Sequence, residues 1–389
     1  MIPLTSTDAV RQACQRMAAH PFVTVDTEFL RETTYYPRLC LIQVASPDEA
    51  ILIDALAEGL DLAPFFELMA NEAVLKVFHA ARQDLEIMVN LSGKVPAPIF
   101  DTQVAAMVCG YGDQIAYDQL AQQIARARID KTHRFTDWAR RPLSEAQLDY
   151  ALADVTHLRD IYQALAGQLE ESGRTEWVKE EMAVLTNLST YIVEPAEAWQ
   201  RMKLRVRKPI ELAVLQKLAE WRESEAQTRD VPRGRIAKDD LLFEVATHQP
   251  ASVEALGRLR AVPRGWERSR SGEEVIACVK AALEIAREDL PRLPKPPRRA
   301  EGAPAVADLL KVLLKLVCER EGVASRVIAT VDELELIAAD DEADVPALKG
   351  WRRELFGNEA LKLKAGKLAI AVSGRRSVVV PLDEAPSDA

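Results

Sequence analysis

Asp26 and Glu28 stand two residues apart at the end of an apolar run, FVTVDTEFL (residues 22–30). On a strand, side chains two apart point to the same face of the sheet. Like charges crowded there cost free energy unless a cation neutralises them, and a divalent metal is the usual one. Asp84 sits in LKVFHAARQDLEIMV, just past another apolar strand pattern and inside the first turn of a helix. Asp154 sits in EAQLDYALADVTHL, with Tyr150 one helical turn before it and so on the same helix face. Four carboxylates without a histidine or cysteine ligand favour a hard ion, Mg²⁺ or Mn²⁺, over zinc. Two such ions about 4 Å apart can grip both oxygens of an in-line phosphoryl displacement. A phenol with a pKa near 10 is a poor base at neutral pH. Activation of water therefore falls to the metal, and its positioning to Tyr150.

Each residue taken singly has a plainer reading. Asp-Thr-Glu after a strand can be a turn or a helix cap. Asp84 suits the positive end of a helix dipole. Tyr150 with Asp154 can be a surface pair, and His79 a structural histidine. Their order along the chain, on these elements, is what chance does not readily supply.

Alternating strand and helix patterns fill residues 1–190. Strands are expected at Phe22–Glu28, Leu39–Ala45, Ala50–Ile53, Leu75–Phe78 and near Pro98–Phe100, the first three as a meander. Helices are expected from Arg82 to Leu91, Thr102 to Cys109, Tyr117 to Ala125 and Ser144 to Ser172. Ser144 with Gln147 reads as a capping box. A mixed sheet with helices packed on it follows. After Glu194 the patterns are helical, broken by a linker rich in proline and basic residues (PRLPKPPRRA, residues 291–300) and closed by one short strand-like run with a frayed tail. The two helical stretches read as distant repeats, with ASRVIATVDELELIA echoing RGRIAKDDLLFEVA.

The net charge of −10 hides an asymmetry. Residues 1–200 carry 16 Lys and Arg against 29 Asp and Glu; residues 201–300 carry 22 against 15. The first half gathers acid and the middle can meet a polyanion. Arg201, Lys203, Arg205, Arg207 and Lys208, with Arg222, Arg229, Arg233, Arg235 and further arginines to Arg270, are candidate phosphate contacts. The plain alternative is a solvated basic face. Five scattered cysteines fit reduced thiols of a cytoplasmic protein, and neither a secretory signal nor a membrane span is expected.

DTEFLRETTYYPRLCLIQ (Asp26–Gln43), HAARQDLE (His79–Glu86) and TDWARRPLSEAQLDYALADV (Thr136–Val155) resemble the three exonuclease motifs of the DEDD superfamily, in its tyrosine variant. They are similar to those of the bacterial ribonuclease D family in particular. The resemblance implies an α/β ribonuclease H-like exonuclease domain over residues 1–193, with a mixed sheet flanked by helices. Two small all-α HRDC-like domains follow it, at 205–290 and 303–385, joined by a linker at 291–302. It implies that Asp26, Glu28, Asp84 and Asp154 bind two divalent ions and that Tyr150 sits by the attacking water. Glu28 would approach the terminal 3′-hydroxyl, and Thr27, Phe29 and His79 would line the last nucleotide. The implied reaction is 3′→5′ exoribonuclease hydrolysis releasing 5′-mononucleotides, in maturation of precursor tRNA and other structured RNAs; a monomer is expected. Two rivals stay open at the level of sequence: a DNA 3′→5′ exonuclease, and a nucleic-acid-binding module with a vestigial nuclease.

Overall fold

A computed structural model describes residues 1–134, 136–293 and 302–382. Helix α1 (Thr7–Met17) is followed by the meander β1 (Phe22–Leu30), β2 (Arg38–Ala45) and β3 (Ala50–Asp54). Then come α2 (Ala63–Ala70), β4 (Leu75–Phe78), α3 (Arg82–Ser92), β5 (Ile99–Asp101), α4 (Thr102–Val108) and α5 (Tyr117–Ile124). The long α6 (Glu145–Glu171) and α7 (Thr175–Leu185) complete the first unit. The sheet order is β3-β2-β1-β4-β5. β1 and β2 pair antiparallel, as do β2 and β3, whereas β4 runs parallel to both β1 and β5. β1, with both edges paired, is central. A register shift between Glu28 and Phe29 puts a bulge beside the second carboxylate; bulges commonly re-aim side chains next to active sites.

α6 lies across β1, β2 and β3 and against α4 and α5, burying its apolar stripe, Leu148, Ala151, Val155 and Leu158 among others. The capping box forms: Ser144 Oγ accepts from Gln147 N at 3.3 Å, and Gln147 Oε1 accepts from Ser144 N at 3.0 Å. Thr24 Oγ1 donates to Val155 O at 2.8 Å, which ties α6 to the face of β1 that carries Asp26 and Glu28. On the far side of β1, fully buried Lys76 in β4 donates to Asn71 O at 2.9 Å and Val74 O at 2.8 Å, and also bonds Ala97 O, so the cation knits three loop carbonyls together.

The second unit holds α8 (Pro209–Thr228), α9 (Arg233–Ile236), α10 (Asp239–His248), α11 (Val253–Leu256) and α12 (Arg270–Leu283) around a core of its own. The third holds α13 (Ala303–Glu321), α14 (Ser325–Ile328), α15 (Val331–Ala339), α16 (Gly350–Arg352) and α17 (Asn358–Lys364). It ends in a two-stranded hairpin, β6 (Leu368–Ser373) with β7 (Arg376–Pro381). This corrects the all-α expectation for the last region: LAIAVS and RSVVVP flank a Gly-containing turn and pair antiparallel, where the sequence suggested one strand-like run. In the first unit three helices were not anticipated, α1, α2 and α7, and in the second the short α9. The proline-rich linker, from residue 294 on, and the tail from 383 lie outside the described residues.

Both helical units are docked. Tyr35, in the loop after β1, inserts between helices of the second unit. Its hydroxyl bonds Glu223 and accepts from Arg233 Nη2 at 3.0 Å and Gln227 Nε2 at 3.2 Å. Asp230 Oδ1 takes the backbone N–H of Tyr35 at 3.0 Å and of Tyr36 at 2.9 Å. The third unit merges its core with that of the first. Ala324 N donates to Met107 O at 2.9 Å, and the Trp177 and Trp351 rings stack at 4.2 Å and 5°. Arg352 pairs with Glu180 and Glu181. The backbones come close at Gly110, whose φ is +85° and where a Cβ would lie 2.7 Å from Gly322 O. Both the backbone angle and the space require glycine there. Gly110→Ala is expected to cost about 2 kcal/mol or more, read as a lowered Tm and faster hydrogen exchange at the Ala324 amide. An unchanged Tm would show that the docking yields easily.

Candidate active site

Oxygens of Asp26, Glu28 and Asp154 all lie within 4.8 Å of one another. Strand β1 supplies the first two, side by side on the α6-facing side, and α6 supplies the third. Asp84 joins from the first turn of α3. It is buried, it bonds the Thr27 hydroxyl, and its charge is felt at Glu28. The structure thus brings four sequence-expected carboxylates to one place, three in a tight cluster and Asp84 at its border.

The electrostatics are those of crowded negative charge, offset in part by Arg134. Burial raises the Asp26 pKa to about 6. Glu28 is pushed up to about 10, first by burial and then by the charges of Asp26, Asp154 and Asp84, against the pull of Arg134. Asp84 and Asp154 are raised well above the carboxylate range by burial and by Asp26. Tyr150 hydrogen-bonds Asp154, and burial with the charges of Asp154, Glu28 and Asp26 drives its pKa far upward. These effects favour the neutral phenol, which suits Tyr150 to positioning rather than to proton abstraction.

Of the residues expected to line the last nucleotide, Thr27 is 6 % exposed and its hydroxyl is used on Asp84. Phe29 is half-buried beyond the bulge. His79 has both ring nitrogens engaged, Nδ1 with Thr102 Oγ1 at 3.0 Å and Nε2 with Ile115 O at 3.1 Å. Only its ring face and edge carbons remain for a ligand.

Two supporting residues escaped the sequence reading. Asp101, 3 % exposed, accepts from Ala80 N at 2.9 Å, Ala81 N at 2.8 Å and Gln103 N at 2.8 Å. It thereby fixes the turn, with Ala80 at φ 59°, that launches α3 and Asp84. Its place between a strand and a helix was a cap signal. Gln43 is the cross-strand partner of Asp26 on β2, fully buried, and neither atom of its amide has a partner. A lone amide in the run RLCLIQVA was the available clue.

A hard divalent cation fits this donor set. The ligands are carboxylate oxygens close enough to share an ion. Their mutual repulsion is what such an ion would relieve, and the buried Gln43 amide, the cross-strand neighbour of Asp26, is left with both polar atoms unsatisfied.

A family model described as 3′-5′ exonuclease matches residues 1–170, and one described as HRDC domain matches residues 211–279. Ribonuclease D of Nitrobacter hamburgensis is 58 % identical over 377 residues, covering 97 % of this chain and 98 % of that protein. The chain belongs to the ribonuclease D family. Ribonuclease D of Acidiphilium cryptum is 48 % identical, with 97 % of each chain covered. The crystal structure of Escherichia coli RNase D, described as an exoribonuclease involved in structured RNA processing, superposes with a TM-score of 0.82 at 28 % identity, over 94 % of this chain and 99 % of that one. As a ribonuclease D family member, the chain is a hydrolase, a 3′→5′ exoribonuclease acting on RNA. The mixed sheet with flanking helices and one HRDC domain agree with the fold expected from sequence. No helix among the described residues is long and apolar enough to cross a membrane.

Proposed function

We propose that two divalent ions, Mg²⁺ or Mn²⁺, held by Asp26, Glu28, Asp84 and Asp154, serve the hydrolysis, and that the enzyme matures the 3′ ends of precursor tRNA and other structured RNAs, releasing nucleoside 5′-monophosphates. The observation that carries this reading is the meeting of carboxylates from β1 and α6 within 4.8 Å, with Asp84 alongside. The ions, when bound, supply Lewis-acid polarisation of the phosphate and a water of lowered pKa. Tyr150 donates to Asp154 and keeps its oxygen free to accept from the attacking water, which it orients. Glu28 also faces the terminal 3′-hydroxyl. Thr27 holds Asp84 in line, and together with Phe29 and His79 borders the last nucleotide.

The domain limits that go with this are 1–193 for the exonuclease, 205–290 for the HRDC domain and 303–385 for a divergent second one, separated by a 291–302 linker. The succession of a long helix, one short turn of helix and a medium helix, α13-α14-α15, repeats α8-α9-α10 and supports the duplication. The five cysteines are all free, which supports a cytoplasmic setting, and we take the working form to be a monomer.

The test is digestion of a 3′-labelled unprocessed tRNA beside a sequence-matched DNA strand with Mg²⁺ and with EDTA. Labelled 5′-mononucleotide is expected from the RNA, with Mg²⁺ only. Faster release from DNA, or release in EDTA, would overturn the substrate or the metal assignment respectively.

A further inference from the structure

A cavity of about 430 Å³ lies away from the carboxylates, walled by the 3₁₀ turn Pro195–Arg201, by α8 and by the α9–α10 junction. Arg201, Arg222, Arg233 and Lys238 line it, together with Glu223 and Asp239. Each lining carboxylate is already matched. Glu223, fully buried, is held by Arg233 through Nη2 at 2.6 Å and Nε, and by the Tyr35 hydroxyl. Asp239 takes Arg222 Nη1. Arg201 and Lys238 are exposed and have no ion-pair or hydrogen-bond partner among the described residues. The cavity therefore carries two positive charges in excess. Arg222 is 5 % exposed, and its Nε has no partner. A guanidinium buried with a donor unused is costly, and two unmatched cations beside two paired guanidiniums leave the hollow with net positive charge. A ligand with several anionic oxygens removes both penalties. Arginine forks match the oxygen geometry of phosphate, and Lys238 and Arg201 supply point charge at the rim. The small side chains of Ala198 and Ala237, and Gly234, leave room in the same wall for more than a bare ion.

We propose that this cavity is a second, non-catalytic site that binds the phosphate of a nucleotide unit. Two sources share that chemistry: a nucleoside 5′-monophosphate of the kind the exoribonuclease reaction releases, and an internal phosphate of an RNA whose 3′ end is elsewhere. Arg233 belongs both to the cavity wall and to the clasp on Tyr35, so an occupant bears on the loop that follows β1.

The experiment is calorimetric titration of the full chain in EDTA, so that nothing is cleaved, with AMP, with inorganic phosphate and with a 3′-blocked oligoribonucleotide. The double variant Arg201→Ala/Lys238→Ala removes exposed side chains without partners, so its Tm should match that of the parent. Arg258→Ala/Arg264→Ala takes two exposed charges from another part of the same unit as a control. A loss of AMP affinity of tenfold or more in the first variant alone supports the site and names a free mononucleotide. The same loss for the oligoribonucleotide, with AMP silent, supports it and names an internal phosphate. Equal weakening in both variants means diffuse charge only, and overturns the proposal. So does undiminished binding in the first variant, loss through Asp26→Asn instead, or no binding of any of the three. Because cleavage is absent, none of these outcomes depends on the two-ion reading of the catalytic centre.

Discussion

Asp26→Asn or Asp154→Asn is expected to lower the rate of mononucleotide release from 3′-labelled RNA by about 10³-fold or more, roughly 4 kcal/mol of barrier. Each substitution keeps the shape of the side chain and removes one of the charges that meet within 4.8 Å. The fold should survive and, without metal, improve. Asp26 raises the pKa of Glu28, Asp84 and Asp154, so neutralising it relieves three repulsions together. At position 154, an asparagine oxygen can still accept from Tyr150. The expected signature is thus a dead enzyme with an equal or higher Tm in EDTA. Activity within tenfold of the parent in either variant would remove these residues from the chemistry, and a collapsed Tm would mean that they hold the fold instead.

Metal removal should reveal the same charges through pH. The carboxyl groups of the cluster have folded-state pKa values above their unfolded ones, with Asp26 at about 6 and Glu28 at about 10. Between about pH 4 and those values, the folded chain keeps protons that the unfolded chain has released. Stability must then fall as pH rises across that window. In EDTA the Tm is expected to decline from pH 5 to pH 8.5. Millimolar Mg²⁺ or Mn²⁺ takes over from the missing protons, so its stabilisation should be small at pH 5 and reach roughly 5 °C or more at pH 8.5. A metal-induced rise independent of pH would show that the ions bind elsewhere. In Asp26→Asn the slope in EDTA should flatten.

The catalytic unit was readable because chemistry and periodicity coincide there. The apolar runs that end at Glu28 and Phe78 locate β1 and β4 almost to the residue, with Asp26 and Glu28 on β1 itself and Asp84 in the first turn of the helix that follows β4. Ser144 and Gln147 announced α6, and hence the placing of Tyr150 and Asp154. What stayed hidden was cooperative. Nothing in Asp101 alone says that it holds two amides before α3 as well as one in α4. α1 and α7 have few buried residues in a polar background, and α2 is a single short run after a proline. The closing hairpin was masked because LKLKAGKLAIAV prolongs a helical pattern past the glycine that ends it. Several of the basic residues read as phosphate contacts also pair with acidic neighbours at the surface, as in Arg205 with Asp240, Arg229 with Glu225 and Arg270 with Glu274. The Arg205–Asp240 pair joins residues far apart in the chain and cannot be seen along a line of letters, whereas the other two are one helical turn apart.

The merging of the first and third cores sets an order of events during synthesis. The face around Met107 and Gly110 leaves the ribosome some two hundred residues before the segment at Gly322–Ala324 that covers it. A nascent chain therefore carries a finished sheet with one apolar flank open until translation is nearly over, and such flanks are where incomplete chains aggregate or recruit chaperones. The nuclease half is made first and sealed last. A chain stopped early at the end of α7 would leave that flank permanently bare.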